Sequence, residues 1–144
     1  MLQLKHVTKH YDDFSLNDVS FVLPNSGLVF ILGKSGSGKS TLLNMLGGLD
    51  SVTKGDIVVD GTSLVSLKEY ELDMYRNDYI GIIYQNFNLF PSSTVRQNIL
   101  EASKIAGKEV NKEEVNELCK DLDLLGKEDE LVKNLSGGQK QRVA

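Results

Sequence analysis

The sequence predicts an α/β fold with antiparallel strands in front, a strand–loop–helix unit at the centre and a helical subdomain behind. Three observations carry this: the unbroken apolar run Leu28-Val29-Phe30-Ile31-Leu32, a glycine-rich loop and helix directly after it, and amphipathic helical spacing past Pro91. The 144 residues, 40% hydrophobic and 25% charged, suit one domain core. A net charge of −4 argues against a strong basic face for nucleic acid or anionic lipid. A lone cysteine, Cys119, excludes an internal disulfide, and without a Cys/His cluster no structural zinc site is expected, so the chain is assigned to a reducing compartment. The longest apolar run falls far short of the ~20 residues that span a bilayer. No secretory signal is legible.

Taken in order, Leu2, Leu4 and Val7 predict a first strand, and Val19, Phe21 and Leu23 a second, with a turn at Tyr11-Asp12-Asp13. Pro24 to Gly27 breaks the chain before Leu28–Leu32, whose continuous apolar character is that of a strand covered on both faces at the sheet centre. Lys39 to Leu46 reads as a helix turned inward through Leu42, Leu43 and Leu46 and stopped by Gly47-Gly48. Ile57-Val58-Val59 followed by Asp60-Gly61 predicts a hairpin. Leu67 to Arg76 is expected to be a helix facing inward through Leu67, Tyr70 and Met74, and Tyr79 to Tyr84 to return to strand. Thr94 caps a helix carrying Val95, Ile99 and Ala102, while Val115, Leu118, Cys119, Leu122 and Leu125 share one face of the next. The expected divisions are an α/β core with its β portion over residues 1–90, a helical subdomain over 91–135, and a last helix opening at 136–144.

Gly33-Lys34-Ser35-Gly36-Ser37-Gly38-Lys39-Ser40 fits G-x-x-x-x-G-K-[ST] at every fixed position, between the expected strand and helix. Glycines let backbone N–H groups converge on one anion, because no side chain blocks the approach and positive φ costs little. The helix N-terminus adds about half a positive charge and unpaired donors. Lys39 contributes a full charge suited to the β and γ phosphates, and the Ser40 hydroxyl is placed to ligate Mg²⁺. A nucleoside triphosphate is the ligand these parts fit. Asn111-Lys112-Glu113-Glu114 has Glu where a guanine-reading N-K-x-D motif needs Asp, and reads as a solvated helix start.

Leu135-Ser136-Gly137-Gly138-Gln139 alone fits a capped helix N-terminus. Paired with the phosphate loop upstream, and continued by Lys140-Gln141-Arg142-Val143-Ala144, it resembles the signature of ATP-binding cassette (ABC) ATPases over essentially the whole chain. The resemblance implies an α/β P-loop NTPase core of the ABC ATPase type, with an antiparallel β portion and a helical subdomain, incomplete at its C-terminal end after the signature. It implies ATP and Mg²⁺ as cofactors, held by the loop residues Gly33 to Ser40 with Thr41 and by Tyr11, matching the aromatic that the family stacks on adenine. It also makes Gln85 the sensor of Mg²⁺ and the attacking water, with Mg²⁺ ligated through Ser40 and Gln85. In that family two nucleotide-binding domains pair head to tail, so Leu135 to Gln139 would act on the ATP of a second nucleotide-binding domain. A membrane-embedded permease subunit is the other implied partner, contacted through the region of Phe87, Leu89 and Phe90, which fits core packing equally well. No nucleic acid is expected, and the chain is placed at the cytoplasmic face of the membrane. Lys34 and Val52 stand where the family often has proline.

Tyr75-Arg76, the stretch Ile80 to Leu89 and Thr94 to Ile99 resemble the branch that exports antimicrobial peptides, macrolides or lipoproteins. Two other readings fit the same motifs: a soluble ABC ATPase of translation or DNA repair, and a non-catalytic nucleotide-binding regulatory fragment. The family's Mg²⁺-binding Asp, catalytic Glu and switch His are not among these residues, so weak or no hydrolysis is expected of this chain alone. Asp56 and Asp60 lack the preceding apolar run, and His6 and His10 have no assigned role. The acidic strand that pairs beside Leu28–Leu32 in the family is absent as well. Each buried unpaired backbone group costs ~1–3 kcal/mol against a domain stability of ~5–15 kcal/mol. The isolated 144-residue chain is therefore expected to aggregate or to depend on a partner, and a sharp reversible melt of its monomer would contradict this.

Overall fold

A computed structural model describes residues 1–144, which form two compact units, Met1–Gly81 and Ile82–Ala144. In the first unit, β1 (Leu2–Tyr11) and β2 (Phe14–Leu23) form the expected hairpin about Asp12-Asp13. On its other edge β1 pairs antiparallel with β3 (Lys54–Val59), which turns through Asp60-Gly61 into β4 (Thr62–Ser63), giving the order β2-β1-β3-β4. Asp60 and Gly61 have φ of 48° and 86°, the paired positive angles that tight hairpin turns of matching twist demand.

The inward face of β1 does not follow simple alternation. Leu4 and Val7 are both buried although three positions apart, because a bulge at His6, φ 50°, inserts an extra residue and switches the parity of the strand. Gly55 of β3 crosses this bulge so closely that a Cβ there would lie 2.3 Å from the His6 carbonyl oxygen and 2.5 Å from that of Lys5.

Helix α1 (Lys39–Leu46) covers the inner face of the sheet. It buries Leu42, Met45 and Leu46 with Leu4, Val7, Ile57 and Leu64, and ends at Gly47, whose N–H donates to the Leu43 carbonyl. Leu42 and Leu46 are buried as expected, whereas Leu43, expected inward, is exposed and Met45 completes the buried face. In α2 (Glu69–Tyr79) the face is out of phase by one residue, a rotation of about 100°: Tyr70 and Met74 are exposed, while Tyr75 is buried and donates its hydroxyl to the Leu46 carbonyl at 2.8 Å.

Leu28–Leu32 is the largest departure from expectation. The segment forms no strand, none of the chain's strands pairs with it, and Leu28, Phe30 and Leu32 are 80%, 74% and 87% exposed; only Ile31 packs against the core. Residues 80–84 are likewise not a strand, and Ile82, Ile83 and Tyr84 are exposed. A strand apolar on both faces gains its burial only from flanking strands and covering layers. The β2-β1-β3-β4 sheet provides neither for these two segments.

The second unit is built from α3 (Val95–Ile105), α4 (Lys112–Asp121) and α5 (Gly137–Val143), with a core of Val95, Val115, Cys119, Leu124, Val132 and Leu135. Thr94 caps α3 as expected, accepting from the Gln97 N–H while Gln97 returns its carboxamide oxygen to the Thr94 N–H at 2.8 Å. Asn111 and Glu114 form the same reciprocal cap on α4, which gives the Asn-Lys-Glu-Glu stretch a structural role. Ala102, Leu118 and Leu125 face solvent, whereas Leu124, reached past the end of α4, is fully buried.

Because Gly55 combines φ of 87° with backbone contact at its missing Cβ, Gly55→Ala is expected to destabilise the first unit by about 2–4 kcal/mol. Urea unfolding followed by far-ultraviolet circular dichroism measures this, with Gly61→Ala, which meets open space, as the milder control.

Candidate functional site

In the first unit Gly33 to Gly38 form the loop that leads into α1. Gly36 and Gly38 have φ of 76° and 90°, a region that L side chains rarely adopt, and the Ser37 N–H donates to the Lys34 carbonyl at 3.3 Å to close the loop. Gly33 leaves room for a neighbour: a Cβ there would lie 2.5 Å from the Ser37 Oγ, which would have to turn away. At Gly38 a Cβ would meet the Phe14 ring at 2.8 Å and the Leu16 Cδ1 at 3.2 Å, so the loop's end is seated directly on β2.

The Lys39 side chain turns back into the loop and donates from Nζ to the Gly33 carbonyl at 2.9 Å and the Lys34 carbonyl at 2.7 Å. Its partners are neutral, and none of the six ion pairs includes Lys34 or Lys39, so both ammonium charges remain uncompensated by a carboxylate. Lys34, Ser35, Gly36, Ser37 and Ser40 are exposed. The result is an exposed, glycine-shaped loop carrying two lysines uncompensated by a carboxylate, an arrangement that attracts a multivalent anion.

Tyr11 ends β1 beside this loop, 45% exposed. Its hydroxyl donates to Asp50 Oδ2, and its ring lies 6.4 Å from that of Phe14. Asp50 Oδ1 accepts from Lys9 Nζ at 2.5 Å and from the Ser51 N–H at 2.8 Å, and Lys9 Nζ also donates to the Ser51 carbonyl at 2.7 Å. Burial acts to raise the Asp50 pKa, but the hydrogen bonds from Lys9 and Tyr11, together with the Lys9 charge, outweigh it and hold the carboxyl below the usual carboxylate range. The Tyr11 phenol is pushed above its ordinary value, first by its hydrogen bond to Asp50 and then by burial and the Asp50 charge; Lys9 and the Thr41 hydroxyl act in the opposite sense. Sequence reasoning placed Tyr11 and Thr41 here but not Lys9 or Asp50, which carry no motif.

The signature residues lie in the second unit and divide by environment. Leu135 is buried in the core of that unit. Ser136 caps α5, accepting from the Gln139 N–H at 3.3 Å, and Gln139 returns its carboxamide oxygen to the Ser136 N–H at 2.9 Å. Gly137 and Gly138 are exposed, with open space around Gly137. Gln85 is exposed on a turn whose next residues, Phe87 and Asn88, both have positive φ, of 64° and 51°. Phe87 is half-buried, Leu89 packs against the core of the second unit and Phe90 is 55% exposed.

Two residues unnoticed as such in the sequence organise this unit. Asn98, buried on α3, accepts from the Phe90 N–H at 2.8 Å and donates to the Phe90 and Thr94 carbonyls at 3.2 and 2.9 Å. Arg96 pairs with Asp129 at 3.0 Å and donates to the Asn116 Oδ1 at 3.0 Å. Beside it, backbone bonds from Val95 to Glu130, Arg96 to Glu128, Val132 to Ser93 and Lys133 to Pro91 lash residues 128–133, which lead into the signature, to the start of α3.

No group of three or more His, Cys, Asp or Glu side chains could hold a metal ion. No helix is long and apolar enough to cross a membrane.

Comparison with known proteins gives consistent results. The sequence profile of the family described as ABC transporter matches residues 16–144. The methionine import ATP-binding protein of Geobacillus kaustophilus is 42% identical over 99% of this chain and 44% of its own length. The lipoprotein-releasing system ATP-binding protein of Buchnera aphidicola is 42% identical over 90% of the chain and 58% of its own length. Among solved structures, the ATP-binding cassette MJ0796, a dimer bound to ADP and Pi, superposes with a TM-score of 0.84 at 35% identity over 99% of this chain and 66% of that one. The chain thus spans about two fifths to two thirds of the length of these proteins.

The depressed Asp50 pKa fixes a sign for the acid response of the first unit. The carboxylate's contribution to stability is complete above the unfolded-state pKa of about 4 and is lost as pH falls through the lower folded-state value. Urea midpoints of wild type and Asp50→Asn are therefore expected to differ at pH 7 and to converge as the pH falls through the folded-state value of Asp50. A gap that persists unchanged in acid would contradict the assignment.

Proposed function

The chain belongs to the ABC transporter family, and from that premise we propose that it is the ATP-binding part of an ABC transporter, coupling ATP binding and hydrolysis within a head-to-tail dimer to movement of a cargo. Its fold is the P-loop ABC ATPase fold, with an antiparallel β portion and helical subdomains, as the sequence predicted. The observation that carries the proposal is the phosphate loop: Lys39 sits on the Gly33 and Lys34 carbonyls, unmatched by any carboxylate, in a loop whose glycines Gly36 and Gly38 adopt positive φ. An arriving triphosphate exchanges those neutral acceptors for its own charged oxygens, and the Gly33 to Gly38 amides, Lys39, Ser40 and Thr41 are the groups that hold it. Mg²⁺ fits the Ser40 hydroxyl in company with phosphate oxygens, since this ion accepts one or two protein oxygens and keeps its remaining sites for ligand and water. It supplies neutralisation of phosphate charge.

Ser136, Gly137 and Gly138 are assigned to the triphosphate of a second nucleotide-binding domain, and their exposure supports that reading. The dimeric MJ0796 cassette is a precedent for such pairing. A permease subunit of the cytoplasmic membrane is the proposed route to the bilayer, with the exposed Phe90 as its contact. For cargo, we favour export of peptide, macrolide or lipoprotein on the resemblance at residues 80–89 and 94–99. The relative named for lipoprotein release fits that cargo class, whereas the relatives named for methionine import do not.

Calorimetry with Mg-ATP tests the reading. Lys39→Ala is expected to weaken binding by ~2–5 kcal/mol, because a desolvated phosphate charge loses its partner. Ser136→Arg is expected to leave binding intact while abolishing ATP-driven pairing with a complete cassette, followed by sedimentation. Unchanged ATP affinity in folded Lys39→Ala would overturn the proposal.

A further inference from the structure

We propose that Asp50 is a positioning residue for nucleobase recognition, acting with Lys9 to fix the Tyr11 ring in the orientation that a purine stacks on. The inference rests on the reading of the chain as an ATP-binding domain and concerns residues that no motif marks. Tyr11 stands at the exposed end of a strand, where an untethered ring samples several rotamers and must lose that freedom when a base settles on it. Here the ring is held at three points. The hydroxyl donates to Asp50 Oδ2, the Lys9 ammonium lies over the ring 5.1 Å from its centroid, and the Phe14 ring flanks it at 6.4 Å while pressing against Gly38 of the phosphate loop.

The tether is itself anchored. Asp50 Oδ1 is held by Lys9 Nζ at 2.5 Å and the Ser51 N–H at 2.8 Å, and the Lys9 and Asp50 side chains are 11% and 24% exposed. Tyr11 is therefore the exposed member of an otherwise sheltered triad, with nearly half its surface open. Asp50 follows the C-terminal end of the helix whose other end begins at Lys39. Base contact and phosphate contact thereby share one rigid support, and their spacing is set by the length of α1. The Lys9 ammonium over the ring also attracts its π-density, a further hold on its orientation.

The test compares two ligands on the full chain, Mg-ATP and inorganic Mg-tripolyphosphate, which has the charge but no base. Tyr11→Phe keeps the ring and Asp50→Leu roughly the volume, and each removes the tether. Calorimetry is expected to show ATP affinity falling about 3- to 10-fold in each variant, tripolyphosphate affinity unchanged, and the double variant no weaker than either single one. Parallel loss of tripolyphosphate binding would make Asp50 merely structural and overturn the inference, as would unchanged ATP affinity or additive losses. Failure of the underlying reading looks different: wild type would then bind neither ligand, or would bind both alike with Tyr11→Ala making no difference.

Discussion

Helix α1 is pinned at both ends, and the first unit is organised by that constraint. Its N-terminus cannot lift away from the sheet because Gly38 is packed against Phe14 and Leu16 of β2. Its C-terminus is held by the Tyr75 hydroxyl on the Leu46 carbonyl and by Arg76 Nη1 on the Gly48 carbonyl at 2.5 Å. Between those ends Leu42, Met45 and Leu46 fill the space under the sheet. The glycine loop owes its shape to this fixed helix: with α1 immobile, the amides that precede it have a defined origin, and Lys39 has a defined reach.

Local rules served well where a short segment decides its own conformation. The Asp60-Gly61 turn, the Thr94 and Ser136 caps and the Gly47 stop each depend on residues within a few positions, so their chemistry is visible in the letters. The phosphate loop and the signature were visible for the same reason. Helical phase was harder. In α1 and α2 the side chains Leu43, Tyr70 and Met74 are apolar enough to be taken as core, yet the bulge at His6 and the crossing at Gly55 settle where the sheet's inner face lies, and these are long-range events.

The same division explains what was missed around the site. Lys9, Asp50 and Tyr11 meet across about forty residues of chain, and Arg96 meets Asp129 across 33, so neither grouping has a sequence spacing that signals it. Charged residues read singly are solvated faces; only a fold brings them together. The apolar segments 28–32 and 80–84 show the converse. Their composition fits strands, but strand formation needs partners with free edges, and composition alone cannot supply those.

The lashing of residues 128–133 to the start of α3 has a mechanical consequence. Four backbone hydrogen bonds and the Arg96 pair join that segment to residues 91–96, and Asn98 fastens Phe90 to the same helix. Within the second unit, Phe90 and the segment that leads to the Ser136 cap are therefore joined through the start of α3. Phe90 cannot shift without straining the same hydrogen-bonded framework that holds the approach to Ser136.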